Sequence, residues 1–189
     1  MISAPTTGRA VLFRMTSDEF CKLPPSESFK LELFDGDVVM AARPTPYHQH
    51  FVSELMVVLK QWVREHSLGR VLFDTLMKLD VDWTPAPDLV FLAVNHLHRV
   101  KRKRIVGPVD LAVEVLSPSD KRVDRKTKFD AYARFGIPAY WIVDLDKRVL
   151  DEYELGKGVY SKKVIAPFDR PFAPRIFPGL RIDLASLEW

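Results

Sequence analysis

Three carboxylates stand where structure alone has little use for them. Glu114 lies inside the apolar run Val109–Leu116, Asp88 follows Pro87 and opens the apolar run Asp88–Val94, and Glu32 sits among Leu31, Leu33 and Phe34. A charge buried without a partner costs several kcal/mol, on the order of the whole stability of a domain. A Glu in such a strand therefore needs a counter-charge or a metal. Two or three carboxylates with water make a hard oxygen site of the kind that suits Mg²⁺ or Mn²⁺. If the strands bearing Asp88 and Glu114 are neighbours, their carboxylates converge.

The counter-charge comes from the basic segment that follows. At about 100° per helical residue, Lys128 shares a stripe with Asp124, Ala131, Tyr132 and Phe135, while Lys126 points nearly the opposite way. A helix packing that stripe on a sheet carries the Lys128 amine towards Glu114. Carboxylates holding a metal beside an ammonium can activate water and stabilise a pentavalent phosphate, which is phosphodiester hydrolysis.

The elements that must position these groups are legible from pattern. Thr16-Ser-Asp-Glu19 reads as a capping box before Phe20 and Leu23. Phe29–Phe34 and Val38–Met40 read as a hairpin about Asp35-Gly36. A long helix begins near Tyr47, with Phe51, Leu55, Val58, Leu59 and Trp62 on one face and Gly69 as its expected C-terminal stop. Val71–Val81 reads as one or two strands, Asp88–Val94 and Val109–Val115 as buried strands, and Asp120–Phe135 as the basic helix. Ala139–Asp144 reads as a further buried strand whose Trp141 N–H needs a partner. Val149–Leu155 pairs with Val159–Ala166, and a turn at Pro178-Gly179 precedes a short closing element. Mixed helices and strands point to a single α/β (α+β) domain over 1–189 built on a mixed sheet.

Pro87-Asp88, Glu114-Val115-Leu116 and Lys128 resemble the PD-(D/E)XK nuclease superfamily with its lysine moved from the strand to the next helix. More closely, the chain resembles the Uma-type family of restriction endonucleases. That resemblance is carried by Met15-Thr16 to Phe20, Glu32-Leu33-Phe34-Asp35-Gly36, Pro44 to His48-Gln49 and Glu114-Val115-Leu116-Ser117-Pro118-Ser119. It continues through Asp124, Lys128, Tyr132, Gly136 and Tyr140-Trp141-Ile142-Val143-Asp144. It implies a restriction endonuclease-like core, a mixed central sheet flanked by helices, with an N-terminal hairpin and extra C-terminal strands. Residues 1–14 would be a flexible lead-in, 15–155 the family-like core and 156–189 an extension packed on it. It further implies that Asp88, Glu114 and the Val115 carbonyl hold the metal, that Lys128 orients or deprotonates the attacking water, and that Glu32 is an additional catalytic acid. Leu116 stands where the superfamily's usual motif places lysine, so the chemistry depends on Lys128 reaching inward.

His48, Asp124 and Tyr132 are candidates to line the site. Lys101, Arg102, Lys103 and Arg104, with Lys121, Arg122, Arg125 and Lys126, could contact phosphate. No helix-turn-helix, zinc finger or RNP motif is present to read sequence, so backbone contacts should dominate any DNA complex. The expectation is a Mg²⁺- or Mn²⁺-dependent endonuclease acting on nucleic acid, most naturally DNA. A homodimer would serve double-strand cleavage. The alternative is an inactive nuclease-fold module that binds nucleic acid or a protein. A two-carboxylate glycosidase is disfavoured by the inward Lys128 and the lack of an aromatic sugar platform. The single cysteine, Cys21, excludes an intramolecular disulfide, the net charge of +3 is mild, and no apolar run reaches the roughly 20 residues of a membrane span. These features, and an N-terminus without a signal-like apolar segment, lead to an expected cytoplasmic location.

Overall fold

The apolar runs at Leu89–Ala93, Leu111–Val115 and Ala139–Asp144 have polar neighbours mainly at their ends, as strands covered on both faces should. In the computed structural model, which describes residues 11–24, 30–41, 44–116 and 123–189, they form the middle of a six-stranded mixed sheet. In chain order the elements are β1 (Val11–Arg14), α1 (Ser17–Phe20), β2 (Lys30–Phe34), β3 (Asp37–Ala41), α2 (Pro46–Glu65), β4 (Gly69–Phe73) and β5 (Met77–Lys78). Then come β6 (Leu89–Ala93), β7 (Ile105–Val106), β8 (Leu111–Val115), α3 (Phe129–Arg134), β9 (Ala139–Asp144), β10 (Val149–Gly156) and β11 (Val159–Pro167). The large sheet runs β11-β10-β9-β8-β6-β4; only β8 and β9 are parallel within it.

Each face of the sheet has its own cover. On one side α2 lays Phe51, Leu55, Leu59 and Val63 against Val113, Val115 and Trp141. The chain after β11 completes that layer: Phe168 stacks on Phe51 at 5.5 Å, and Phe177 meets Phe91 edge-on at 4.9 Å. On the other side α3 and the segment around Met77, Ile105 and Val109 cover Val90, Ala112, Tyr140 and Ile142. Strand alternation puts Glu114 on this second face with Ala112 and Leu116.

The hairpin β2–β3 forms as expected, turning through Asp35 at φ 54° and Gly36 at φ 80°. It belongs to a separate three-stranded sheet, β1-β3-β2. Residues 11–14, expected as part of a flexible lead-in, instead pair with β3, and Val11 packs against the cluster of Phe34, Val39 and Trp83. The capping box is present: the Thr16 side chain accepts from the Glu19 N–H, and the Glu19 carboxylate accepts from the Thr16 N–H at 2.8 Å. Thr45 caps α2.

The stop of α2 differs from expectation. Ser67, at φ 53°, takes the left-handed turn. Gly69, at φ 151°, opens β4 instead; a Cβ there would run into the Leu92 carbonyl of the neighbouring strand. The glycine is required by close approach between strands, not by the helix end. The basic helix also departs from regularity, with a π-helical turn over Val123–Lys128 before α3. The Ser117-Pro118-Ser119 turn and the start of that helix lie outside the described residues.

Candidate active site

The antiparallel register of β6 and β8 pairs Leu89 with Val113. One step further along that register, Asp88 stands beside the Glu114–Val115 end of β8. The Asp88 carboxylate continues the ladder by accepting the Val115 N–H at Oδ2, 2.8 Å. The two strands are neighbours, and both acids sit at one end of the sheet.

Lys128 reaches in. Its Nζ lies 2.9 Å from Glu114 Oε1 and 3.0 Å from Glu32 Oε1, and the residue is 3% exposed. Lys126, two residues earlier, is exposed. The ammonium therefore bridges carboxylates from two separate sheets. Glu32 stands on an edge strand, where a Glu is ordinarily solvated, yet it is 1% exposed. The cause is the segment before Asp88: Thr84 and Leu33 exchange main-chain hydrogen bonds at 2.9 and 3.1 Å, and the Ala86 N–H donates to Glu32 Oε1 at 3.0 Å. Tyr132 donates its hydroxyl to Glu114 Oε1 at 2.9 Å, so it both packs and touches the acid.

His48 enters from the first turn of α2. Its Nε2 lies 3.2 Å from Asp88 Oδ2 and 2.9 Å from the Val115 carbonyl oxygen. Its Nδ1 is buried without a hydrogen-bond partner, so the ring is held through one nitrogen. Burial works against the imidazolium, but the Asp88 hydrogen bond and charge outweigh it and raise the His48 pKa. Lys30 supplies a second cation that pattern reading missed. Its Nζ is 3.4 Å from Asp88 Oδ1 and 3.3 Å from Asp74. Burial of the Lys30 ammonium is outweighed by Asp88 and then Glu32, which raise its pKa. Burial of Asp88 is in turn outweighed by Lys30 and His48, which hold its carboxyl well below the usual range. The available signal was alternation: Lys30 precedes Glu32 by two residues in a strand and shares its face.

The fit to a metal can be judged from donor type. Asp88 Oδ2 and the Val115 carbonyl, both hard oxygens, converge on a single point, since one His48 nitrogen reaches both. These oxygens, and the Glu114 carboxylate one residue away in the chain, are of the type that suits a hard divalent cation. Among the described residues no three His, Cys, Asp or Glu side chains form a ligand cluster.

The basic candidates divide. Lys101, Arg102, Lys103 and Lys126 are exposed. Arg104 is engaged with Asp18 at 3.4 Å. Arg125, a candidate phosphate contact, instead turns inward to Asp144 at 3.2 Å and Asp151 at 3.5 Å, because these two buried carboxylates on β9 and β10 need a cation. Lys121, Arg122 and the side chain of Asp124 lie outside the described residues.

Comparison with known proteins agrees with this picture. The sequence profile of the Uma2 family, described as "Putative restriction endonuclease", matches residues 17–185. The fold is similar to a solved structure from Anabaena variabilis ATCC 29413, described as "a putative nuclease belonging to DUF820". Its TM-score is 0.76 at 22% identity, over 92% of this chain and 98% of that one. No curated protein matches.

Proposed function

The chain belongs to the Uma2 family of restriction endonuclease-like proteins, and on that premise we propose that it is a metal-dependent endonuclease hydrolysing phosphodiester bonds in DNA. The observation that carries the reading is the buried Lys128 ammonium, held between Glu32 and Glu114 at 3.0 and 2.9 Å at the strand end that also bears Asp88.

Asp88, Glu114 and the Val115 carbonyl would hold Mg²⁺ or Mn²⁺. When bound, such an ion polarises the phosphoryl oxygens and makes water a stronger nucleophile. The chain's own groups do the rest. Two carboxylates around Lys128 favour its charged form, so its role is to orient the attacking water and face the negative charge that develops on the phosphate. Glu32, fixed by the Ala86 N–H, holds Lys128 in place and accepts a hydrogen bond from that water. Tyr132 keeps Glu114 in one rotamer through its hydroxyl. The water oxygen bonds to phosphorus as the bond to one ester oxygen breaks, and the leaving oxygen takes up a proton.

Nicking of supercoiled plasmid in Mg²⁺ or Mn²⁺ tests this. EDTA should abolish it. Glu114→Gln and Lys128→Ala should each lower the rate by about 100-fold or more, with folding checked by circular dichroism. Undiminished nicking by both folded variants overturns the assignment.

A further inference from the structure

A cavity of about 390 Å³ opens beside the carboxylates, and none of the steps above uses it. Its floor is apolar, with Phe20, Leu23, Leu31 and Leu76 contributing. Two ammonium groups, Lys30 and Lys103, stand in its wall with one carboxylate, Asp74, which pairs with Lys30 at 3.3 Å. Lys30 ties the cavity to the site, since its Nζ is 3.4 Å from Asp88 Oδ1. Ala86 forms another part of the wall, and its N–H is the donor to Glu32. The cavity is thus one residue away from both Asp88 and Glu32.

We propose that this cavity receives one unstacked nucleotide of the strand being cut, adjacent to the scissile phosphate. The inference rests on the nuclease reading and narrows its substrate to nucleic acid with an unpaired nucleotide at the cut: a single strand, a bulge or a frayed end. The volume lies in the range of small-ligand pockets. Apolar side chains suit the faces of a base, which stack without regard to sequence. Lys103, exposed at the rim, suits a flanking phosphate, while Lys30, held between Asp74 and Asp88, links the cavity to the site. A base stacked and paired within a duplex must first be extruded, at a cost of a few kcal/mol, whereas one already unpaired enters with little penalty. The absence of a sequence-reading motif agrees, because selection here acts on strand structure.

The test is equilibrium binding of wild-type protein in EDTA to three labelled oligonucleotides, followed by fluorescence anisotropy. The probes are a blunt duplex, the same duplex with one unpaired internal nucleotide, and the single strand. The unpaired probes should bind about tenfold more tightly than the blunt duplex. Leu31→Trp, which fills the cavity, should erase that preference and leave blunt-duplex affinity unchanged. Lys103→Ala lies on an exposed loop and makes little demand on folding; it should reduce the preference several-fold. Equal affinity for all three probes, no binding to any of them, or a preference unchanged in both variants overturns the inference. Plasmid nicking in Mg²⁺ is read separately, so a protein that nicks yet shows no preference refutes the cavity's role and leaves the nuclease reading intact.

Discussion

Around Asp88, two cations compensate one partly buried carboxylate, and the balance among them depends on pH. His48 has a raised pKa in the folded chain because Asp88 favours its charged form. A group raised on folding contributes stability that is fully present below its unfolded value, 6.5 for this imidazole, and is lost as pH rises through the folded value. Asp88 works in the opposite sense: its contribution is present above 3.8 and is lost only as pH falls through its depressed folded value. His48→Gln keeps an N–H for Asp88 but removes the titration. The difference in Tm between wild type and His48→Gln should therefore be larger near about pH 6 than near about pH 9. A difference that stays constant across that range would contradict the pairing.

At the scale of elements, two irregular places stand out, one at the site and one at the far end of β6. One is the π-helical turn Val123–Lys128, which precedes the regular α3. A wider turn changes the angular step per residue, so helical phase before Lys128 is not a reliable guide. From Lys128 onward the ordinary step holds, and Ala131 and Tyr132, three and four residues later, are 3% and 0% exposed. Phase counted from that side therefore places Lys128 with Ala131 and Tyr132, whereas Arg125 and Lys126 fall within the irregular turn, where phase gives no orientation. The other is Gly69, where β4 passes against the Leu92 main chain. Gly69→Ala should cost about 2 kcal/mol or more, from an unfavourable φ and a backbone clash together, measurable by urea denaturation. A change below about 0.5 kcal/mol would show that the β4–β6 edge yields easily.

At the scale of the molecule, a three-stranded sheet and a six-stranded sheet meet at Lys128, which takes one carboxylate from each. The charge of the chain is mildly positive, and several of its basic side chains are engaged with internal carboxylates. Electrostatic attraction to nucleic acid should therefore come from the basic residues that remain exposed, Arg102 and Lys126 among them. Replacing Arg102 and Lys126 by alanine should flatten the slope of log binding constant against log salt, by about 0.9 for each duplex phosphate that is no longer neutralised. An unchanged slope would move the binding surface elsewhere. Among the described residues no helix is long and apolar enough to cross a membrane.

Local pattern determined a good deal. Short apolar runs specified β6, β8 and β9, the capping box placed α1, and Asp35-Gly36 specified the hairpin. A lone charge in an apolar strand marked Glu114 as needing a partner, and helical phase nominated Lys128. These signals are readable because each lies within a few residues of chain. Tertiary structure decided what depends on groups tens of residues apart. It buried Glu32 by bringing Thr84 and Ala86 over an edge strand, aimed His48 and Lys30 at Asp88, and turned Arg125 inward to Asp144 and Asp151. It also gave the Trp141 N–H its partner in Glu152, 3.1 Å away on the adjacent strand. Such pairings follow from the cost of burying charges and polar groups unpaired, and which of them become buried is settled only when the two sheets and their covers meet.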